Sequence, residues 1–158
     1  MLAFRGFARL KGLERRVRRR LGRQGPTLDP RPLPRRLWMF WAQGLGEAPL
    51  LVRHCAAAWR EKNPGWDVRL LSLADLPGLV AMDDIPAPPT TTYQAFADVL
   101  RLRLLDTYGG VWADATCLPV RPLDHWLPPL MQAGFFAFDR PHPERMLASW
   151  FLTSHSNR

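Results

Sequence analysis

The stretch Tyr93–Thr116 (YQAFADVLRLRLLDTYGGVWADAT) constrains this chain more than any other. Its apolar residues first recur at helical spacing, then the pair Gly109-Gly110 predicts the end of the helix, and residues 111–113 predict a short apolar strand. Asp114 follows this strand directly. Because ligands bind at the carboxyl ends of strands in open α/β sheets, the stretch predicts a ligand site together with the elements that form it.

An acid and a base, Asp98 and Arg101, lie three residues apart on the predicted helix. On a helical wheel they border an apolar stripe, which is formed by Tyr93, Ala97, Leu100, Leu104 and Tyr108. Alone, they indicate no more than an i, i+3 ion pair worth about 0.2–0.5 kcal/mol. The succession of this pair, a glycine turn and Asp114 is more specific, and it predicts that the three charged residues line one site.

The elements around this stretch predict an α/β fold with a mostly parallel sheet. A strand over residues 36–41, a helix over 48–62 and a strand over 66–71 form a right-handed βαβ unit with parallel strands. The helix is expected to bury Leu51, Cys55 and Trp59. The pattern further predicts a weak helix over residues 72–82, a strand over 134–138 and a last helix over 143–154. With 158 residues, the chain is long enough for one domain with a substantial core.

The net charge of +8 is confined to the beginning of the chain. Residues 1–23 contain nine bases and one acid, whereas the remaining residues contain 13 of each. The body therefore has no net field to attract nucleic acid, which excludes that class of partner. The leader fits either a basic amphipathic helix on an anionic membrane surface or a solvated extension. A proline-rich linker, residues 24–34, separates it from the folded domain, residues 35–158.

Two cysteines, Cys55 and Cys117, are too few for a disulfide framework. We interpret them as reduced thiols of a cytoplasmic protein, peripheral to the inner face of the membrane if the leader binds there.

The pattern D-x-x-R-(x)₃-L-(x)₃-G-G-V-W-x-D-A-T resembles the donor-site signature of sugar transferases that carry a DxD motif, in the branch of capsular polysaccharide synthesis proteins. Further matches in the order of that family are Pro34-Arg35-Arg36-Leu37-Trp38 running to Trp41, His54-Cys55 with Trp59, Asn63-Pro64-Gly65-Trp66, and Gly134-Phe135-Phe136-Ala137-Phe138 followed by Ser149-Trp150-Phe151. The resemblance covers about residues 33–157 and leaves out the leader.

This resemblance implies a Rossmann-like nucleotide-sugar-binding fold of the GT-A type. It also implies a retaining transfer from a nucleotide-diphosphate sugar to a polysaccharide or glycan acceptor. By position, Asp98 and Arg101 would hold the donor sugar and its diphosphate beside the Gly109-Gly110 turn. Asp114 would be the first acid of the DxD element and the ligand of a divalent metal, Mn²⁺ or Mg²⁺.

An aromatic residue of the first strand, Trp38 or Trp41, would lie near the nucleotide base, and at least one of the two belongs to the core. The chain departs from the family at Thr116, which stands where the second acid is usual and is a poorer metal ligand. Relatives of the family continue beyond Arg158, so we expect the fold to be truncated at its C-terminus, without the acceptor half.

No catalytic nucleophile or general base stands out. We expect surface roles for His125, His142 and Glu144, which fall in loops or at a predicted helix start.

Two other functions fit parts of the sequence. A dinucleotide enzyme is indicated by Gly44-Leu45-Gly46 after a strand and by Asp67 about twenty residues later, but Pro49 stands where the third glycine would be. The other is a non-catalytic, donor-binding fragment, which the early end of the chain favours.

Overall fold

The computed structural model describes residues 28–29, 31–81 and 90–156 of the chain. The leader, residues 1–23, lies outside this part. The described residues form β1 (Arg36–Phe40), α1 (Leu50–Lys62), β2 (Asp67–Leu71), α2 (Tyr93–Tyr108), β3 (Gly110–Ala113), β4 (Phe135–His142) and β5 (Arg145–Ser154). Within these ranges, neither helix combines the length and apolar character needed to cross a bilayer.

All five strands belong to one sheet, in the order β2-β1-β3-β5-β4. β1 pairs in parallel with β2 and β3, whereas β5 pairs antiparallel with both β3 and β4. Four of the five strands therefore point the same way, and the prediction of an α/β fold with a mostly parallel sheet is confirmed. The β1-α1-β2 unit with parallel strands is confirmed as well.

The interior strand β1 is buried on both faces, as expected for a parallel sheet that helices cover from both sides. Leu37 and Met39 belong to a core that includes the inner face of α1. Trp38 and Phe40 belong to a second core that includes the inner face of α2. The alternation of side chains along one strand therefore assigns each helix to its own face of the sheet.

Helix α1 begins after Pro49 and buries Val52, Cys55, Ala56 and Trp59. Leu51, which was predicted to be buried, is 58% exposed, because the buried stripe runs through the next residue in the first turn. The helix ends at Asn63, whose side-chain amide donates to the Trp59 carbonyl and whose side-chain oxygen accepts from the Leu123 N–H.

Helix α2 begins where Thr92 accepts a hydrogen bond from the Ala95 N–H, as N-cap residues do. It ends as predicted at Gly109, which has a φ of +64°. Its buried residues are Phe96, Leu100, Arg101, Leu104 and Leu105. The helix is therefore rotated relative to the predicted stripe, so that Tyr93 is 44% exposed and Arg101 faces inward.

The predicted last helix is wrong, because residues 145–154 form the strand β5. Met146, Leu147 and Ala148 have high helix propensity, but without β5 one edge of β3 would have no partner. Pairing of β3 with β5, in which Ala113 lies opposite Phe151, overrides that local preference. Residues 72–81 also lack the predicted helix and contain only the 3₁₀ turn Leu73–Asp75, which a capping box at Ser72 initiates.

Candidate functional site

Arg101 is a buried cation at the centre of the candidate site. It lies on the inner face of α2, and its side chain is only 6% exposed. Its Nε donates to the Ala97 carbonyl at 3.2 Å, and its Nη1 donates to the Ser149 carbonyl in β5. Its guanidinium carbon lies 5.1 Å from the centre of the Trp112 ring. Because a buried charge persists only where it is paired and hydrogen-bonded, these contacts hold Arg101 in one position.

Two carboxylates flank the Arg101 guanidinium. Oδ1 of Asp98 lies 2.6 Å from Nη2, and Oδ1 of Asp114 lies 3.5 Å from Nη1. The side chain of Asp98 is 60% exposed and that of Asp114 is 39% exposed, so the site meets solvent through its two acids. The structure thus brings together the three charged residues that the sequence predicted to line one site.

Asp114 is held at the carboxyl end of β3 by its neighbours in the chain and in β5. Its N–H donates to the Trp150 carbonyl, its carbonyl accepts from the Cys117 N–H, and its Oδ1 accepts from Nε1 of Trp112 at 2.8 Å. Burial, and secondly the charge of Asp114, raises the pKa of the Cys117 thiol to about 11. Cys117 is therefore a neutral thiol near pH 7 and a poor nucleophile.

The backbone of the turn at Gly109-Gly110 requires glycine at both positions. Both residues have positive φ, +64° and +96°. A Cβ on Gly109 would lie 2.6 Å from the Ser156 nitrogen, and a Cβ on Gly110 would collide with the Arg36 carbonyl oxygen. The turn thus brings α2 into β3 where β1 and the end of β5 leave no room for a side chain, and this sets Asp114 opposite Arg101. The turn itself lies at the start of β3, at the edge opposite Asp114, so the structure separates Gly109 and Gly110 from the charged site at which they were expected to contact the donor.

The two tryptophans of the first strand are placed differently. Trp38 is fully buried, and its Nε1 donates to the Gly109 carbonyl at 3.0 Å. It is therefore the core residue of the predicted pair. Trp41 follows β1 at the carboxyl edge and is only partly buried. Its ring packs against the core on the α1 face of the sheet, and its buried Nε1 has no hydrogen-bond partner among the described residues.

A divalent ion beside Asp114 would find one carboxylate at the end of β3, because the exposed Thr116 stands where a second acid could follow. The other acid of the site, Asp98, lies on α2 and pairs with Arg101. No group of three or more His, Cys, Asp or Glu side chains that could hold a metal occurs in residues 28–29, 31–81 and 90–156. This donor set does not fit an ion caged by protein alone. It fits an ion such as Mg²⁺, which takes one or two carboxylates and fills its shell with water and the phosphate oxygens of a ligand.

Two contributors to the site were missed at the level of sequence: the indole of Trp112 and the carbonyl of Ser149. Period-2 alternation along β3 could have revealed Trp112, because residues 112 and 114 share one face. Ser149 could not be found, since its segment was predicted to be a helix.

The remaining polar candidates lie away from this site. His125, His142 and Glu144 are exposed, as predicted. Asp67 lies at the start of β2 and forms ion pairs with Arg36 and Arg69. A dinucleotide enzyme needs its acid at the carboxyl end of that strand, so the structure contradicts this alternative.

The structure combines an α/β fold, built on a mostly parallel sheet, with a charged site at the carboxyl edge of that sheet. The model of the capsular polysaccharide synthesis protein family matches residues 23–158, and the chain belongs to this family. The solved structure of the PaToxG glycosyltransferase has a similar fold, with a TM-score of 0.61 at 14% identity over 82% of this chain and 58% of that one.

Curated relatives of this chain are glycosyltransferases. A glycosyltransferase of Aspergillus fumigatus is 33% identical over 57% of this chain and 26% of its own length. An O-glycosyltransferase of Annulohypoxylon truncatum is 27% identical over 92% of this chain and 39% of its own. The initiation-specific alpha-1,6-mannosyltransferase of Candida albicans is 24% identical over 72% and 32%. The chain thus spans between a quarter and two fifths of the length of these relatives.

Proposed function

We propose that this chain binds a nucleotide-diphosphate sugar at the carboxyl edge of its sheet, as the donor-binding part of a retaining glycosyltransferase. The sugar would pass to a glycan or polysaccharide acceptor. The observation that carries the proposal is the convergence of Asp98, Arg101 and Asp114 at that edge. Membership of the capsular polysaccharide synthesis family and the glycosyltransferase relatives support it.

The chemistry of the site suits a sugar. Hydroxyl groups donate to carboxylates in strong, charge-assisted hydrogen bonds, and Asp98 and Asp114 both present a carboxylate to solvent. The Arg101 guanidinium between them offsets the repulsion of two like charges. Because Arg101 is buried, we expect it to support the two acids that bind the sugar and not to contact the diphosphate directly. Trp41, which follows β1 at the same edge and is the less buried of the two tryptophans, is our candidate for contact with the nucleotide base.

A divalent ion, Mg²⁺ or Mn²⁺, completes the proposal, with Asp114 as its protein ligand. When bound, such an ion would neutralise charge on the leaving diphosphate. The protein's own part is to hold the Asp114 carboxylate in place through Trp112 and Arg101.

A panel of uridine-, guanosine- and thymidine-diphosphate sugars, with and without Mn²⁺, tests donor binding by thermal shift and calorimetry. We expect at least one to bind wild-type protein and to bind Asp114→Asn at least tenfold more weakly. Glu61→Gln, which removes the charge of an exposed carboxylate on α1, is the matched control and should bind as wild type does. The proposal is refuted if no nucleotide sugar binds, or if Asp114→Asn binds equally well.

Donor hydrolysis separates a transferase from a donor-binding fragment. A binding-competent protein that releases no free sugar from the donor would favour the fragment.

The leader, residues 1–23, carries the excess positive charge and is proposed to hold the protein at an anionic membrane surface on the cytoplasmic side. A protein lacking residues 1–23 should no longer sediment with phosphatidylglycerol vesicles. Equal sedimentation with and without the leader would refute this part of the proposal.

A further inference from the structure

Trp112 contacts both charged residues on the inner side of the candidate site. It lies in β3, two residues before Asp114, so both side chains lie on the face of the sheet that α2 covers. Its Nε1 donates to Oδ1 of Asp114 at 2.8 Å. The face of its ring lies 5.1 Å from the guanidinium carbon of Arg101. One side chain therefore contacts the acid through its edge and the base through its face.

The contacts of Trp112 and Arg101 with Asp114 are both made with the same oxygen, and neither involves the other oxygen. Oδ1 receives the indole hydrogen bond and lies 3.5 Å from Nη1 of Arg101, so both contacts converge on that atom. A hydrogen bond to a charged acceptor is stronger than one between neutral groups, and here it is made by a residue that is itself 1% exposed. The buried indole and guanidinium thus hold Oδ1 in place, and neither of the two contacts uses Oδ2.

We propose that Trp112 is the positioning residue of this site: it fixes the Asp114 carboxylate through its N–H and supports Arg101 through its ring. It is too deeply buried to touch a ligand. The inference rests on the proposed function for its effect on donor binding only, because the fixed carboxylate can be tested without any donor.

The protein contains a matched control for Trp112. Trp38 lies directly opposite it on β1, belongs to the same core, and is also fully buried. The guanidinium carbon of Arg36 lies 5.3 Å from the centre of the Trp38 ring, and Nε1 of Trp38 donates to the Gly109 carbonyl. Trp38→Phe and Trp112→Phe therefore remove the same groups from the same core, and only the second removes a bond to Asp114.

The first experiment uses protein labelled with ¹⁵N-tryptophan and needs no ligand. In Asp114→Ala, the Trp112 indole resonance should move upfield and its hydrogen exchange should accelerate by about tenfold or more, while the Trp38 indole stays unchanged. Triple-resonance assignment of the wild-type protein identifies the Trp112 signal. If the chemical shift and the hydrogen exchange of the Trp112 indole are the same in Asp114→Ala as in wild type, the proposal is overturned. This result does not depend on whether Trp112→Phe folds or on whether the protein transfers sugar.

The second experiment measures affinity for the nucleotide sugar that the panel identifies. Trp112→Phe should weaken binding about ten- to a hundredfold relative to Trp38→Phe at equal thermal stability, since a charge-assisted hydrogen bond is lost. Equal affinities of the two variants would overturn the positioning role while leaving donor binding itself intact. Failure of wild type to bind any donor would refute the proposed function instead.

Discussion

The guanidinium of Arg101, carried by α2, lies 3.5 Å from the carboxylate of Asp114 at the end of β3, and yet the arginine side chain is 6% exposed. A buried cation between α2 and β3 holds these two elements together, in addition to its part in the candidate site. The sequence predicts Arg101 at the border of the apolar stripe of the helix, paired with Asp98 and in contact with the donor. Its burial adds a structural role, because Nη1 also donates to the Ser149 carbonyl in β5.

Replacement of Arg101 should therefore affect stability and donor binding together. Arg101→Ala leaves the carbonyl of Ser149 without its donor and removes the partner of two acids, and we expect a loss of about 1–3 kcal/mol in the free energy of unfolding. Arg101→Lys keeps the charge but loses the planar fork and should recover only part of this. Urea denaturation measures both variants. A stability equal to wild type in Arg101→Ala would show that the buried contacts contribute nothing.

Asp98 should behave in the opposite way, because its side chain is 60% exposed. Asp98→Asn removes the charge of a mostly exposed carboxylate, keeps an amide oxygen that can accept from Arg101, and leaves Asp114 as the other partner of that buried arginine. It should therefore cost less than about 1 kcal/mol of stability. Donor affinity should nevertheless fall at least tenfold, since a neutral amide is a weaker acceptor for a sugar hydroxyl. Calorimetry beside urea denaturation separates the two effects, with Glu61→Gln as the control. If Asp98→Asn binds the donor with wild-type affinity, the ion pair of Asp98 and Arg101 has no part in donor binding.

Alanine substitutions at three glycines distinguish the cost of backbone strain from the cost of a steric clash. Gly46 has neither a positive φ nor a close neighbour, Gly78 has a φ of +78° with open space, and Gly110 has a φ of +96° with the Arg36 carbonyl in the way. Alanine should be nearly neutral at Gly46, should cost about 1–2 kcal/mol at Gly78, and should cost about 3 kcal/mol or more at Gly110. Thermal melts test the order. If Gly78→Ala and Gly110→Ala cost the same, packing at the turn does not matter.

Local patterns in the sequence predicted the first half of the fold and the three charged residues of the site. The strands β1, β2 and β3 and the helices α1 and α2 each carry their own periodicity and stop signals, such as Gly109. Strand β5 does not, because its conformation comes from pairing with β3, far away in the chain. The misassigned segment also concealed the Ser149 carbonyl, and with it the reason why Arg101 is buried.

Asp29 offers a test that depends on pH and is remote from the donor site. Its carboxylate lies 2.6 Å from Nη2 of Arg31 and 2.9 Å from Nδ1 of the buried His155. Arg31 also donates to the Ser156 carbonyl, so these residues tie the linker to the chain just after β5. That end of β5 pairs with Gly110 at the start of β3, at the sheet edge opposite Asp114. The hydrogen bonds from Arg31, and secondly the close contact with His155, hold the pKa of Asp29 well below its usual range.

Because the folded state lowers this pKa, the folded protein binds fewer protons at Asp29 than the unfolded chain does. The contribution of Asp29 to stability is therefore fully present above about pH 4, the ordinary pKa of an aspartate, and is lost as the pH falls further. Asp29→Asn should lower the melting temperature at pH 7 and should reduce the difference between melting temperatures at pH 5 and pH 3. Thermal melts of both proteins across this range measure it. A slope between pH 5 and pH 3 that is identical in Asp29→Asn and wild type would contradict the assignment.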